Sequence, residues 1–315
     1  MCTAVSFRRG DHYFGRNLDV EGSYGESVVI TPRNFPFRFR HMGSVDRHYA
    51  MIGMAKVVEG YPLYFDGTNE KGLSVAGLHF PGNTKYHSYR DGKVNLASYE
   101  VIPFILSICG SVDEVKTRLR NGNITQDSFC KDLPPAPLHW LISDNKYSIV
   151  LESTVEGTKI YEDPYGVLTN NPPFPYHLEN IHQYMGLHEG LEENRFSGDL
   201  PLENISLGFG AVGLPGDFSS ISRFVKTVFV KEKIKSDGSE KENVQHFFHI
   251  LSSVAMPKGC VRMEHGAYEY TRYSSCCNTK TGVYYFNTYY DLSVRHVPLH
   301  GIDLDEKKLF EHPIE

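Results

Sequence analysis

Strand-like and helix-like segments come in blocks along this chain, and that order is its strongest constraint on fold. Val5 and Phe7 alternate with polar or small neighbours, and SVVITPR and YAMIGMAKV are short β-rich runs. GLSVAGLHF is another, after the turn-like DGTNEKG. A helix then opens at the S-x-x-E capping pattern of Ser111 and Glu114, carries Val115 and Leu119, and stops near Asn121-Gly122. Strands resume with LHWLISD, YSIVLEST, TKIYE and GVLTN. Two helices follow, one through Arg223 to Lys233 and one with Val244, Phe247, Phe248, Leu251 and Val254 on a single stripe. GVYYFNTYYDL closes the series as a strand. Blocks of this kind, in place of one helix per strand, predict an α+β layered fold with antiparallel sheets. Two sheets face to face with helices outside suit the pattern. No repeat or Pro/Ser linker divides residues 1–315, so a single domain is expected, and KSDGSEKEN reads as a surface loop between two helices.

Composition excludes several classes of function. A net charge of −6, with no block of like charges, argues against nucleic-acid binding. The longest nearly apolar stretch, Val101 to Cys109, is far below the roughly 18–20 residues a membrane span needs. MCTAVSFRRGD lacks the apolar centre of a signal peptide, so a cytosolic protein is expected. None of the six cysteines forms a C-x-x-C pair, and all but Cys2 read as small, mostly buried hydrophobes. There is no H-E-x-x-H, and His246 with His249 flanks Phe247 and Phe248 on an amphipathic helix, so no metal site is expected. The glycines Gly208, Gly210 and Gly213 of GFGAVGLPG spell G-x-G-x-x-G ahead of a helix, but no strand, lysine or acidic partner accompanies them in dinucleotide-binding order. G-x-x-x-x-G-K-S/T and G-x-S-x-G are missing, and no organic cofactor is expected. Twenty Tyr and nineteen Phe fit either a β-rich core or a pocket for a bulky apolar ligand, and composition does not choose.

Cys2 is the cysteine that calls for an explanation. A small residue at position two permits removal of Met1, which would leave a thiol and a free α-amine on one residue. An α-amine titrates near 7.7–8, so a useful fraction is unprotonated near neutral pH. Nucleophile and base would then lie a few bonds apart. Behind the first strand, HYFGRNLD places Arg16 and Asp19 on a strand expected to return toward Cys2. A guanidinium there would favour thiolate and a carboxylate could orient the amine; a surface Arg–Asp pair is the plain alternative. In an ideal strand residues 16 and 19 face opposite sides, so both serve one site only if the chain bends or ends its strand around Leu18.

MCTAVSF, FGRNLD, PRNFPF, DGTNEKGL, AGLHFPG, GVLTNNP and GLPGDFSSISRF occur in this order. Together they resemble the successive motifs of the choloylglycine hydrolase family, which contains bile salt hydrolases and penicillin V acylases. The likeness runs from residue 2 to about residue 290. It implies an N-terminal nucleophile hydrolase with a four-layer αββα sandwich, acting without metal or cofactor and commonly as a homotetramer. It also implies that Cys2 is the nucleophile with Arg16 beside it, that Asp19 holds the amine, that Asn170 helps form the oxyanion hole, and that Arg223 lines the site. The residue at 79 departs from the family: it is His, where bile salt hydrolases typically carry Asn and penicillin V acylases often Tyr. Its backbone N–H would still serve the oxyanion hole, while its side chain puts substrate positioning in question. The expected reaction is hydrolysis of an amide joining a bulky apolar acyl group to a small polar amine, with glycine- or taurine-conjugated bile acids as prime candidates. Penicillin V acylase, acyltransferase and non-catalytic steroid-binding readings are the alternatives.

Overall fold

A computed structural model describes residues 1–315. In the first half the strands are β1 (Cys2–Arg9), β2 (Asp11–Val20), β3 (Ser27–Thr31), β4 (Phe37–Phe39), β5 (Gly43–Val45), β6 (Met51–Val58), β7 (Tyr61–Tyr64), β8 (Asp66–Asn69), β9 (Ser74–His79), β10 (Val94–Ala97) and β11 (Gly122–Thr125). In the second half they are β12 (Leu138–Ser143), β13 (Ser148–Thr154), β14 (Gly157–Glu162), β15 (Val167–Leu168), β16 (Val261–Arg262), β17 (Tyr268–Asn278), β18 (Val283–Thr288), β19 (Arg295–Pro298) and β20 (Phe310–Pro313). The helices are α1 (Val101–Ile108), α2 (Val112–Arg118), α3 (Phe174–Asn180), α4 (Ser220–Lys233) and α5 (Glu240–Ser252). None is long and apolar enough to cross a membrane.

Two large antiparallel sheets carry the fold. The seven-stranded sheet runs β15-β1-β2-β17-β18-β19, with β16 on β17. The nine-stranded sheet runs β14-β13-β12-β9-β8-β6-β3-β20, with β7 on β6. Alternation along the strands explains the layers, because successive side chains point to opposite faces. Ala4, Phe14 and Leu18 meet Val28, Ile30, Ile52, Met54, Ala76 and Leu78 between the sheets. On its other face the first sheet packs Val5, Phe7, Tyr13 and Cys276 against Val244, Phe247, Ile250 and Leu251 of α5. The second sheet turns Val29, Met51, Val75 and Ile142 toward Val101, Ile105 and Val115 of α1 and α2. Helices therefore cover both outer faces, giving the expected αββα order. Strands buried on both sides read as nearly continuous apolar runs, as SVVIT does.

Local expectations fared unevenly. Ser111 caps α2 by accepting from Glu114 N–H, while the Glu114 carboxylate accepts from Gly110 N–H. DGTNEKG is only partly a turn: Asp66–Asn69 is β8, whose Asp66 and Thr68 are buried. GVLTN contributes just the two-residue β15, which sets the edge beside β1. The apolar Val101–Ile108 run is a buried helix. The eleven-residue β17 has no counterpart among the sequence expectations, although it pairs with the site-bearing hairpin arm β2 from Tyr13 to Val20. Gly15 lets these two approach, since a Cβ there would lie 1.9 Å from Ser275 O.

Candidate active site

The β1–β2 register pairs Cys2 with Leu18 and Ala4 with Arg16, so these four side chains share the inner face of the first sheet. Both Cys2 and Arg16 are buried. Nη1 of Arg16 crosses the sandwich to donate to Phe65 O (3.0 Å) and to Gly77 O, and Nη2 is left without a partner. Burial lowers the Arg16 pKa, but the negative groups at Cys2, Tyr273, Asp66 and Asp19 outweigh it and raise it overall. Asp66 is itself pinned by Tyr273 OH (2.8 Å) and Tyr284 OH (2.7 Å).

Asp19 reaches the same cavity by a route other than the one expected. β2 neither ends nor breaks at Leu18; it continues to Val20. The irregularity lies in the partner strand, where the register shifts between Thr271 and Tyr273 opposite Asp19 and Leu18. A bulge increases local twist and re-aims neighbouring side chains. Asp19 Oδ1 accepts from Thr271 Oγ1 (2.6 Å), and its buried Oδ2 has no partner. The Cys2 N–H goes elsewhere, to Asn170 Oδ1 (2.8 Å). Met1 is present ahead of it, and its ammonium donates to Asp19 O (2.8 Å) and Glu269 Oε1 (2.7 Å).

Asn170 and Arg223 bind Cys2 from the helix side. The TN-N-P turn docks on the start of α4, with Asn170 N–H donating to Ser220 Oγ (2.7 Å) and Thr169 Oγ1 to Ser220 O (2.9 Å). Ser219 caps that helix through Ser222 N–H, which places Arg223 in its first turn. Arg223 Nη1 donates to Cys2 O (2.5 Å) and Thr3 Oγ1 (2.6 Å), and Nη2 to Asn170 Oδ1 (2.7 Å). Burial lowers its pKa despite Asp19, Cys2 and Glu269 nearby. Asn170 Nδ2 donates to His79 O (2.7 Å), and an amide nitrogen has a second proton to give.

His79 ends β9. Phe80 N–H donates to Pro137 O across to the β12 side, so ladder alternation turns the His79 N–H and C=O the other way. The His79 side chain is exposed at the pocket rim. Loss of water around it, the positive chain terminus and His139 lower its pKa. The five other residues singled out in the sequence all contact one another or one cavity, and His79 joins them through its backbone.

That cavity is about 380 Å³ and mostly apolar in lining. Cys2, Arg16, Asp19 and His79 border it beside Leu18, Val20, Tyr24, Phe65, Ile102, Phe129, Leu133, Leu138 and Met263. Tyr24 stacks on Phe65 with centroids 5.9 Å apart. Sequence reasoning missed these wall residues, and also Glu269 and Thr271, which arrive on the unanticipated β17. All six cysteines are free thiols. Burial raises Cys109 and Cys277 to about 12, which holds them as thiols; most of the cysteines are buried, as expected, with Cys130 half-buried and Cys260 exposed.

A buried cysteine at a strand start and on the cavity wall, with Arg16 on the same sheet face and Arg223 on its carbonyl, has the makings of an amide hydrolase of the N-terminal nucleophile type. Residues 2–311 match the model of the linear amide C–N hydrolases, choloylglycine hydrolase family, and the chain belongs to that family. It is 47% identical over 314 residues to a bile salt hydrolase/transferase of Lactiplantibacillus plantarum, covering 100% of this chain and 97% of the relative. A conjugated bile acid hydrolase of Lactobacillus gasseri is 40% identical, with 99% and 100% covered. The crystal structure of a mutant conjugated bile acid hydrolase from Clostridium perfringens superposes with a TM-score of 0.93 at 36% identity, covering 100% of this chain and 97% of that one. A penicillin V acylase from Agrobacterium tumefaciens shares the fold, with a TM-score of 0.78 at 20% identity, over 98% of this chain and 90% of that one.

Proposed function

We propose that this protein hydrolyses the amide bond of glycine- or taurine-conjugated bile acids through a thioester on Cys2, once Met1 has been removed. The observation that carries the reading is the Cys2 main chain, held by Asn170 and Arg223 at the wall of the apolar cavity. The names of the relatives point to the same substrates. A cavity of this size and lining suits a rigid apolar acyl group. Arg16 favours the thiolate, which attacks the amide carbonyl. The second Asn170 Nδ2 proton and the His79 N–H stabilise the oxyanion. The freed α-amine, held by Asn170 Oδ1 and able to offer a further proton to the orphaned Asp19 Oδ2, protonates the leaving amine and then activates water against the thioester.

The test is to incubate the protein separately with glycocholate, taurocholate and penicillin V and quantify the released amine. Release from a bile salt is expected; cleavage of penicillin V alone would replace this reading with an acylase one. The N-terminal mass of active protein should lack Met1, and retained Met1 would rule out the free-amine mechanism. We further propose that residues 1–315 act as one catalytic domain in the cytoplasm and assemble as a homotetramer. Met185, Leu191, Phe196, Ile205 and Leu207 are more than half exposed on one irregular segment, an apolar patch that a second copy would cover.

A further inference from the structure

We propose that His139 and Glu152, a buried pair behind the cavity wall, are positioning residues that set the Asn170 turn and the His79 strand end for the oxyanion. This rests on the oxyanion assignment of Asn170 and His79 above. The two side chains stand on neighbouring strands, β12 and β13, one position beyond the Trp140–Leu151 pair, and neither reaches solvent.

Their polar contacts outside the pair go to one segment. His139 Nε2 donates to Thr169 O (2.9 Å), directly ahead of Asn170. Glu152 Oε1 accepts from Phe174 N–H (3.0 Å), where the turn enters α3, and from His139 Nδ1 (3.0 Å). One linked pair therefore holds both ends of T-N-N-P-P-F, while Ser220 holds its middle through Asn170 N–H. His177 Nε2 reaches the next carbonyl, Asn170 O, only at 3.3 Å. The His139 imidazole also lies flat on Phe80, with centroids 4.3 Å apart and planes 3° from parallel. Phe80 follows His79, so one side chain touches both segments that supply oxyanion donors.

A carbonyl oxygen only accepts, so Nε2 carries a hydrogen. Nδ1 faces a carboxyl oxygen, so a further proton lies between ring and carboxyl. Glu152 Oε2 is buried without a partner. A buried ionisable pair with an orphaned oxygen is a poor way to stabilise a core, since apolar residues of the same volume often serve as well or better. Its distinctive product is direction. A ring bonded at both nitrogens and stacked on one face can neither turn nor slide, and it passes that constraint to the main chain on either side of the oxyanion.

The experiment compares wild type, His139→Phe and Glu152→Gln as folded protein from gel filtration, on whichever of the three amides the wild type cleaves. His139→Phe keeps a ring on Phe80 and loses the donor to Thr169 O; Glu152→Gln keeps an acceptor for Phe174 N–H and loses the charge. Alongside kcat and KM, the rate of Cys2 alkylation by iodoacetamide is read from the mass of the N-terminal peptide. There the sulfur displaces iodide from a saturated carbon, and no oxyanion forms. Displacing a catalytic group by about 1 Å costs about a hundredfold, so kcat should fall by about that factor in His139→Phe and about tenfold in Glu152→Gln. KM and the alkylation rate should stay within about threefold, because neither depends on oxyanion stabilisation. An unchanged kcat in either folded variant would overturn the proposal, and so would alkylation that falls as far as kcat. If one variant does not fold, the other decides; if neither folds, the pair is structural and the proposal is overturned. A wild type that cleaves none of the amides would count against the proposed reaction itself, and this inference would fall with it.

Discussion

Asn170 is where structure and catalysis can be separated by two substitutions at one site. Its Oδ1 accepts from Cys2 N–H and from Arg223 Nη2, and its Nδ2 donates to His79 O. Asn170→Ala removes all three and leaves a buried guanidinium nitrogen unpaired. With about 1 kcal/mol for each neutral bond and about 2 for the charged one, the stability loss should be near 4 kcal/mol. For a chain of this size that lowers Tm by roughly 5–10 °C. Loss of an oxyanion donor adds a fall of about 10²–10³ in kcat/KM. Asn170→Asp keeps an acceptor for Cys2 and strengthens the bond to Arg223, but turns an oxygen toward His79 O and has no donor for the oxyanion. Its Tm should lie above that of the alanine variant while its activity falls at least as far. Thermal unfolding beside initial rates on a cleaved amide checks both. If either variant keeps kcat/KM within tenfold of wild type, Asn170 is a turn residue and the oxyanion assignment is wrong.

His79 should matter through its backbone. Loss of water around the ring lowers its pKa, so the neutral form prevails from pH 7 upward, and the His79→Asn to wild-type rate ratio should be flat from pH 7 to 8. A step in that ratio across this range would refute it. Burial lowers His177 to about 4, with Asn170, His139 and Arg223 as lesser influences. The unfolded chain then binds a proton near 6.5 that the native state refuses, so this histidine's contribution falls as pH drops below 6.5. Between pH 7 and 5 its share is about 2 kcal/mol at 1.36 per unit. The drop in urea-unfolding free energy over that range should therefore shrink by about this amount in His177→Gln, and an equal drop in both proteins would refute the assignment. Phe196→Glu, at a side chain 84% exposed, should lower the mass measured by light scattering below four chains without lowering Tm; an unchanged mass would place the interface elsewhere.

What was legible in the sequence was what is local. The stripe of Val244, Phe247 and Leu251 marks α5 because its period comes from one helix face packing on one sheet. The Ser111 cap is readable because donor and acceptor lie three residues apart. β17 was not readable, for a physical reason. Its EYTRYSSCCN run buries Thr271, Arg272, Ser274, Ser275 and Asn278, so no polar-out alternation survives. Thr271 is spent on Asp19, Ser274 on Asn17 and Tyr273 on Asp66. Each partner is hundreds of residues distant in sequence, and no local pattern records such a pairing. Missing β17 meant missing Glu269, the carboxylate nearest the chain terminus.

The same distinction explains why six residues could be named, Asn170, Arg223 and His79 through the family resemblance alone, and the pocket could not. Cys2, Arg16, Asp19, Asn170 and Arg223 stand in short runs whose neighbours are also constrained: Gly15 by the approach of β17, Ser220 by the Asn170 turn, Ser219 by its cap on α4. A site built of main-chain geometry leaves a readable trace in the residues that shape that geometry. The walls are different. Tyr24, Phe129 and Met263 come from loops far apart in the chain and are asked only to be apolar and of suitable volume. Any of several side chains would satisfy that demand, so the reaction is written in the sequence more sharply than the acyl group it acts on. His79 stands between the two cases, with a backbone set by the Asn170 contact and a side chain free to vary at the rim.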